Sequence, residues 1–275
     1  MANKATQEAV QRDQQRFFIG TTEIPGVQSV RAEYTNNASL VKYLGLAKYK
    51  HIPRGPQLAN ISLSSLLISD DLLIGKTGEA GFNGSIVKKD GTQSVGFTSG
   101  YLTSYSSRYS YGSLPQIDAG ITVLDNLNQP QTIGEHQAIT GAASNLILKI
   151  PGPGCLTLNI DEFSTNRVVS YDISIQCARN PVYNLGSVYP AFVELITPLE
   201  ITCAFQVEIN DYQMKSFRRY PFNENVQNLS LTVKTFDTDE QIINYTFNDL
   251  FMIGEAYETT VNGNAGVSVQ YKAFF

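Results

Sequence analysis

The 275-residue sequence has no tryptophan, two histidines and three cysteines. It also has no unbroken apolar run of the ~18 residues that a membrane-crossing helix needs, so no membrane partner is expected. His51 and His136 lie far apart in loop-like surroundings, and neither has a G-x-S-x-G frame nearby, so a serine-type catalytic site has no base to draw on. Cys155, Cys177 and Cys203 are odd in number and fit no zinc spacing. They read as reduced, buried thiols of a protein made in a cytoplasm, which agrees with an opening MANKATQEAVQRDQQRFFIG that lacks a signal-peptide core. Charge is scarce as well. Charged residues make up 16% of the chain, against about 25% in an ordinary soluble protein. The net charge of −5 argues against a dedicated nucleic-acid binder, whose affinity comes from lysine and arginine on phosphates.

Chemistry-bearing clusters are equally thin. Gly152-Pro153-Gly154 leads into a strand, so it reads as a turn and not as a phosphate loop. Asp237-Thr238-Asp239-Glu240 and Asp70-Asp71 are the compact acidic groups. The first lacks the further oxygen ligands of a calcium loop and reads as a polar hairpin tip. No enzyme activity, cofactor or metal is expected. The absence of tryptophan, which sugar platforms favour, weighs against the alternative of a receptor- or carbohydrate-binding β-sandwich.

What remains is strand. Hydrophobic residues reach 42% and aromatics 11%, with 21 glycines, the profile of an all-β chain with much of its surface in contacts. Apolar and polar residues alternate in VQSVRAEY (27–34), LANISLSSLLI (58–68) and RVVSYDISIQC (167–177). In the last, Val169, Tyr171, Ile173, Ile175 and Cys177 are expected to share one face. Asp90-Gly91 and Asn262-Gly263 are hairpin turn signals. Residues 1–16 form a polar arm, 17–127 a first β-domain, 128–145 a soft linker and 146–275 a second β-domain.

The second domain reads as an internal repeat of the first. YLTSYSSRYSYGSLPQIDAGITV lies over FNDLFMIGEAYETTVNGNAGVSV without a gap, which places Tyr101 on Phe247, Tyr105 on Phe251 and Tyr111 on Tyr257. Upstream, Leu58 falls on Leu199 and Asp70 on Asp211, and Gly26 falls on Gly154. The stretch from Gly96 to Leu127 combines four tyrosines with small neutral residues and almost no charge. Such a strand is poorly protected against pairing with another edge and must be covered. The cover comes either from the same chain or from a neighbouring subunit.

GYLTSYSSRYSYGSLPQIDAGITV resembles the recurrent hairpin of tail tube (major tail) proteins of long-tailed bacteriophages, and GPQLANISLSSLLISDDLL is similar to their earlier segment. The resemblance implies tandem β-sandwich or barrel domains that close into a ring barrel. Rings would stack into a tube through which the genome passes, in the virion tail, after synthesis in the bacterial cytoplasm. Two domains per chain imply a trimer with pseudo-sixfold symmetry. A baseplate hub or distal tail ring is the alternative position. Implied partners are further copies of the chain and the terminator, tape measure and baseplate proteins, with DNA passing unbound. On this reading Tyr101, Tyr105, Tyr109, Tyr111, Phe247, Phe251 and Tyr257 make inter-subunit contacts. Asp70, Asp71, Glu208, Asp211 and Glu255 face the lumen and repel DNA.

Overall fold

The computed structural model describes residues 15–35, 38–42, 49–53, 58–88, 94–124, 149–160, 163–185, 187, 189–208, 227–258 and 265–274. Most of the polar arm, the linker at 128–145, and Asp211 lie outside the described residues. Those described form an all-β chain whose one helical element is a 3-10 turn at Ile74–Lys76. The first nine strands are β1 (Gln15–Ile19), β2 (Thr22–Ile24), β3 (Val27–Thr35), β4 (Ala38–Lys42), β5 (Tyr49–Pro53), β6 (Leu58–Leu66), β7 (Phe82–Lys88), β8 (Ser94–Ser110) and β9 (Gln116–Val123). The second nine are β10 (Pro151–Ile160), β11 (Phe163–Thr165), β12 (Val168–Gln176), β13 (Arg179–Tyr183), β14 (Pro190–Leu195), β15 (Glu200–Glu208), β16 (Gln227–Thr235), β17 (Gln241–Glu258) and β18 (Gly266–Phe274).

Strict alternation fixes these strands. In β6 the side chains of Ala59, Ile61, Leu63 and Ser65 are buried, and in β15 those of Ile201, Cys203, Phe205 and Val207. β9 buries Ile117, Ala119, Ile121 and Val123, while β18 buries Val267, Val269, Tyr271 and Ala273. Each strand thus turns one face to a single continuous core that draws on both halves of the chain. Burial of each large apolar side chain stabilises the fold by ~1.5–3 kcal/mol.

The pairing pattern repeats. Within β1–β9 the ladders are β1·β2, β1·β7, β7·β8, β8·β9, β6·β9, β3·β6 and β4·β5. Within β10–β18 they are β10·β11, β10·β16, β16·β17, β17·β18, β15·β18, β12·β15 and β13·β14. Even the irregularities recur. A break at Val27/Ser29 is matched at Val168/Ser170, one at Phe82/Gly84 at Gln227/Leu229, and one at Leu102/Ser104 at Met252/Gly254.

These bulges correct the register read from sequence. The ladders match Tyr101 to Phe251 and Tyr105 to Glu255, not Tyr101 to Phe247 and Tyr105 to Phe251. Leu58 corresponds to Glu200 and not to Leu199, and Gly154 lies inside β10 while Gly26 precedes β3. The aromatic match is displaced from Phe251 to Phe247, an even slip that leaves every side chain on its face, so the alternating pattern does not expose it. At the Val168/Ser170 bulge the pleat does shift, and Val168, not Val169, is buried in line with Tyr171, Ile173, Ile175 and Cys177.

One further ladder, β8·β12, joins the two halves into a 14-stranded antiparallel sheet. Among the described residues the sheet does not close on itself.

Candidate functional site

The β8·β12 joint is where the tyrosine-rich stretch finds its cover. Ser104 to Ser110 pair with Gln176 to Ser170, so that Tyr109 lies opposite Tyr171, Ser107 opposite Ile173 and Tyr105 opposite Ile175. Backbone bonds extend the ladder at both ends, from Tyr111 N to the Val169 carbonyl and from Cys177 N to the Thr103 carbonyl, each at 2.8 Å. Tyr109 and Tyr171 stack with ring centroids 5.8 Å apart. Arg179, at the start of β13, clamps the edge: its Nε donates to the Leu102 carbonyl at 3.0 Å and its Nη2 to the Gly78 carbonyl at 2.8 Å. Its guanidinium also lies over the Tyr101 ring. Burial lowers the Arg179 pKa from its ordinary value.

Beneath the joint runs a chain of buried hydroxyls. Tyr105 Oη donates to Asp71 Oδ2 at 2.6 Å and lies 2.7 Å from Tyr245 Oη. Tyr245 Oη donates to Ser107 Oγ at 2.9 Å, and Ser107 Oγ is 3.2 Å from Tyr171 Oη. Ser107 is wholly buried, and the small side chain makes room for the Tyr245 ring. Burial pushes the Tyr105, Tyr171 and Tyr245 phenols above their usual range, so all three stay neutral hydrogen-bonding groups. The thiols of Cys177 and Cys203 are also pushed up by burial, the latter to about 12.

Asp71 is held by this network and by the Leu73 N–H, 2.8 Å from Oδ1. Burial raises its pKa despite those bonds. The folded state therefore disfavours its ionised form. Its contribution to stability is full below the ordinary carboxylate pKa and is lost as pH rises through the raised folded value. Asp71→Asn retains an acceptor for Tyr105 and cannot ionise. The stability difference between wild type and Asp71→Asn should shift steadily against wild type as pH rises from acid to neutral, read from urea midpoints at each pH.

The opposite face of the sheet is polar. Residues directly across a ladder share a face, which groups Ser104, Ser106 and Arg108 of β8 with Gln116, Asp118 and Gly120 of β9, and with Asp172 and Ser174 of β12. Arg108 binds Asp118 there. Burial pushes the Asp118 carboxyl upward, but hydrogen bonds from Arg108 and its neighbours outweigh that and hold it below its usual range. The same face carries Arg31 and Glu33 on β3, Glu200 and Glu208 on β15, Glu258 on β17 and Lys272 on β18. Lys272 binds Glu200 at 2.5 Å.

The expected contact residues divide. Tyr105, Tyr109 and Phe247 are buried in the chain's own core, and Tyr101 is half-buried beneath Arg179. Tyr111, at the β8–β9 turn, and Phe251 and Tyr257, on β17, are exposed. The cover for the first group comes from β12 and from Tyr245 of β17 in the same chain. Of the expected lumen acids, Asp71 points inward, and Asp70 binds Lys149 at 3.1 Å, which also binds Glu240 at 2.9 Å. Glu255 lies opposite Val269, on the core side of β17, and Glu208 lies opposite Gly266 on the polar face. The polar-face charges Arg31, Asp118, Asp172 and Glu258 escaped sequence reasoning. Alternation across the bulges is the signal that reveals them.

Among the described residues no group of three metal-ligating side chains converges. The tip at residues 237–240 is a hairpin turn in which Asp239 binds Lys234 at 3.1 Å. Comparison of the chain with models of known protein families and with curated protein sequences returns no match.

Proposed function

We propose that this chain is a structural, non-enzymatic subunit that self-assembles into rings of the phage tail-tube kind, three chains to a ring. The observation that carries the reading is the β8·β12 ladder, through which one copy of a repeated strand pattern continues its sheet directly into the next. A unit that extends its sheet into an equivalent unit generates a ring when the rotation closes. Closure would remove the sheet edges that a single chain leaves open. Six units around a pore, two per chain, make the three-chain ring.

The polar face supports a lumen that passes DNA without holding it. Acidic Glu33, Asp118, Asp172, Glu200, Glu208 and Glu258 outnumber basic Arg31, Arg108 and Lys272 there. Such a surface repels phosphate more than it binds it. Other tail proteins, namely terminator, tape measure and baseplate, are the partners this role implies, in a virion tail assembled from protein made in the bacterial cytoplasm.

Native mass spectrometry and negative-stain microscopy of the purified chain test the reading. Three-chain rings with a central hole, alone or stacked, are the expected result. A monodisperse monomer at high micromolar concentration, with no pore in any particle, would overturn it.

A further inference from the structure

We infer that successive copies dock through a second version of the β8·β12 ladder. The outer edge of β3 in one copy pairs antiparallel with the Phe251–Glu258 stretch of β17 in the next. This rests on the ring reading above and supplies its interface.

The two edges are the ones the internal repeat leaves over. β12 pairs with β15 on one side and β8 on the other, whereas its counterpart β3 pairs, among the described residues, with β6 alone. β8 is met by β7 over its first half and by β12 over its second. β17 is met by β16 as far as Leu250, and beyond that, among the described residues, the strand that pairs with it is β18, on its other side. Apolar side chains stand exposed there: Phe251 at 51%, Ile253 at 53% and Tyr257 at 45%.

The shared bulges transfer the register without adjustment. Asp172 opposite Arg108 becomes Arg31 opposite Glu258, and Ile173 opposite Ser107 becomes Ala32 opposite Tyr257. The charges are complementary in both ladders but with their signs exchanged. That exchange disfavours the wrong order, since β3 against β8 would set Arg31 on Arg108, and β12 against β17 would set Asp172 on Glu258. Sizes are exchanged as well. The internal joint packs large Tyr245 against small Ser107. The equivalent positions are Val95, small and 44% exposed, and large Tyr257. Such alternation preserves the total volume of the contact.

Sedimentation velocity over a concentration series tests this with Arg31→Glu, Glu258→Arg and the double variant, each first shown to melt as wild type does. Each single change should raise the concentration for half-assembly at least tenfold, and the double variant should return it to the wild-type value. A second readout pairs Ala32→Cys with Tyr257→Cys in one chain. Oxidation should link successive copies, while Ala32→Cys with Ala256→Cys, whose side chains lie on opposite faces, should not. If wild type assembles but the single charge variants assemble equally well, or the double variant stays defective, the docking edge is wrong and the ring reading stands. If wild type never assembles, the ring reading itself falls.

Discussion

Tyr245→Ala is expected to lower the unfolding free energy by about 3–5 kcal/mol, the range for deleting a large buried ring. The ring is 2% exposed and belongs to β17, yet its contacts reach β8 and β12. Its hydroxyl touches both Tyr105 and Ser107, and its face packs near Tyr171 and Phe247, with centroids 6.4 and 6.5 Å away. Truncation therefore opens a cavity under the joint and strips partners from two buried hydroxyls. Tyr245→Phe separates the two effects. It keeps the ring and removes only the hydroxyl, so it should cost about 1–2 kcal/mol. Guanidinium denaturation of the two variants checks the pair. A Tyr245→Ala loss below 1 kcal/mol would show that the joint does not depend on this ring.

Gly100→Val should be nearly as damaging, at about 3 kcal/mol, the upper end for overpacking. Phe97 is 1% exposed and lies over the backbone of β7 and β8 in a slot that two glycines leave open. A Cβ at Gly100 would sit 2.3 Å from Phe97 Cε2, and one at Gly84 would sit 2.5 Å from Phe97 Cζ and 2.9 Å from the Phe18 carbonyl oxygen. The ring cannot swing aside, because Phe82 meets it edge-on at 5.8 Å. Combining Gly100→Val with Phe97→Leu should cost less than the two separate losses added together, since the smaller side chain vacates the contested space. Gly78→Ala, with nothing within 4 Å of the added atom, serves as the near-neutral control. Thermal melts of these variants give the comparison.

Much of the strand content was legible because alternation is local: β6, β9, β12 and β15 show it in their own residues. The long strand β8 was legible too, from its run of tyrosine and serine between Gly96 and Gly112. The matching of the halves was harder to read. The ungapped match sits an even number of residues from the structural one, which keeps inward and outward positions in step, so alternation does not oppose it and aromatic similarity led to Phe247 where the ladder places Phe251. The choice of cover for Tyr105 and Tyr109 was also hidden, since it depends on which distant edge remains unpaired after every local hairpin has formed. Ser107 lies two residues from Tyr105 and from Tyr109 and so shares their buried face by plain alternation. What local pattern does not show is its cover, because Tyr245 arrives from over a hundred residues away. Asp71 read as a surface acid beside Asp70, but the turn after β6 sends the two carboxylates in opposite directions, one to Lys149 and one to Tyr105.

The seven residue pairs of the β8·β12 ladder lie side by side along two antiparallel strands, with hydrogen bonds running across them. A pull along the strand axis loads every rung together, whereas a pull across it opens the rungs one after another. Mechanical resistance at this seam is therefore directional: strong against shear, weak against peeling.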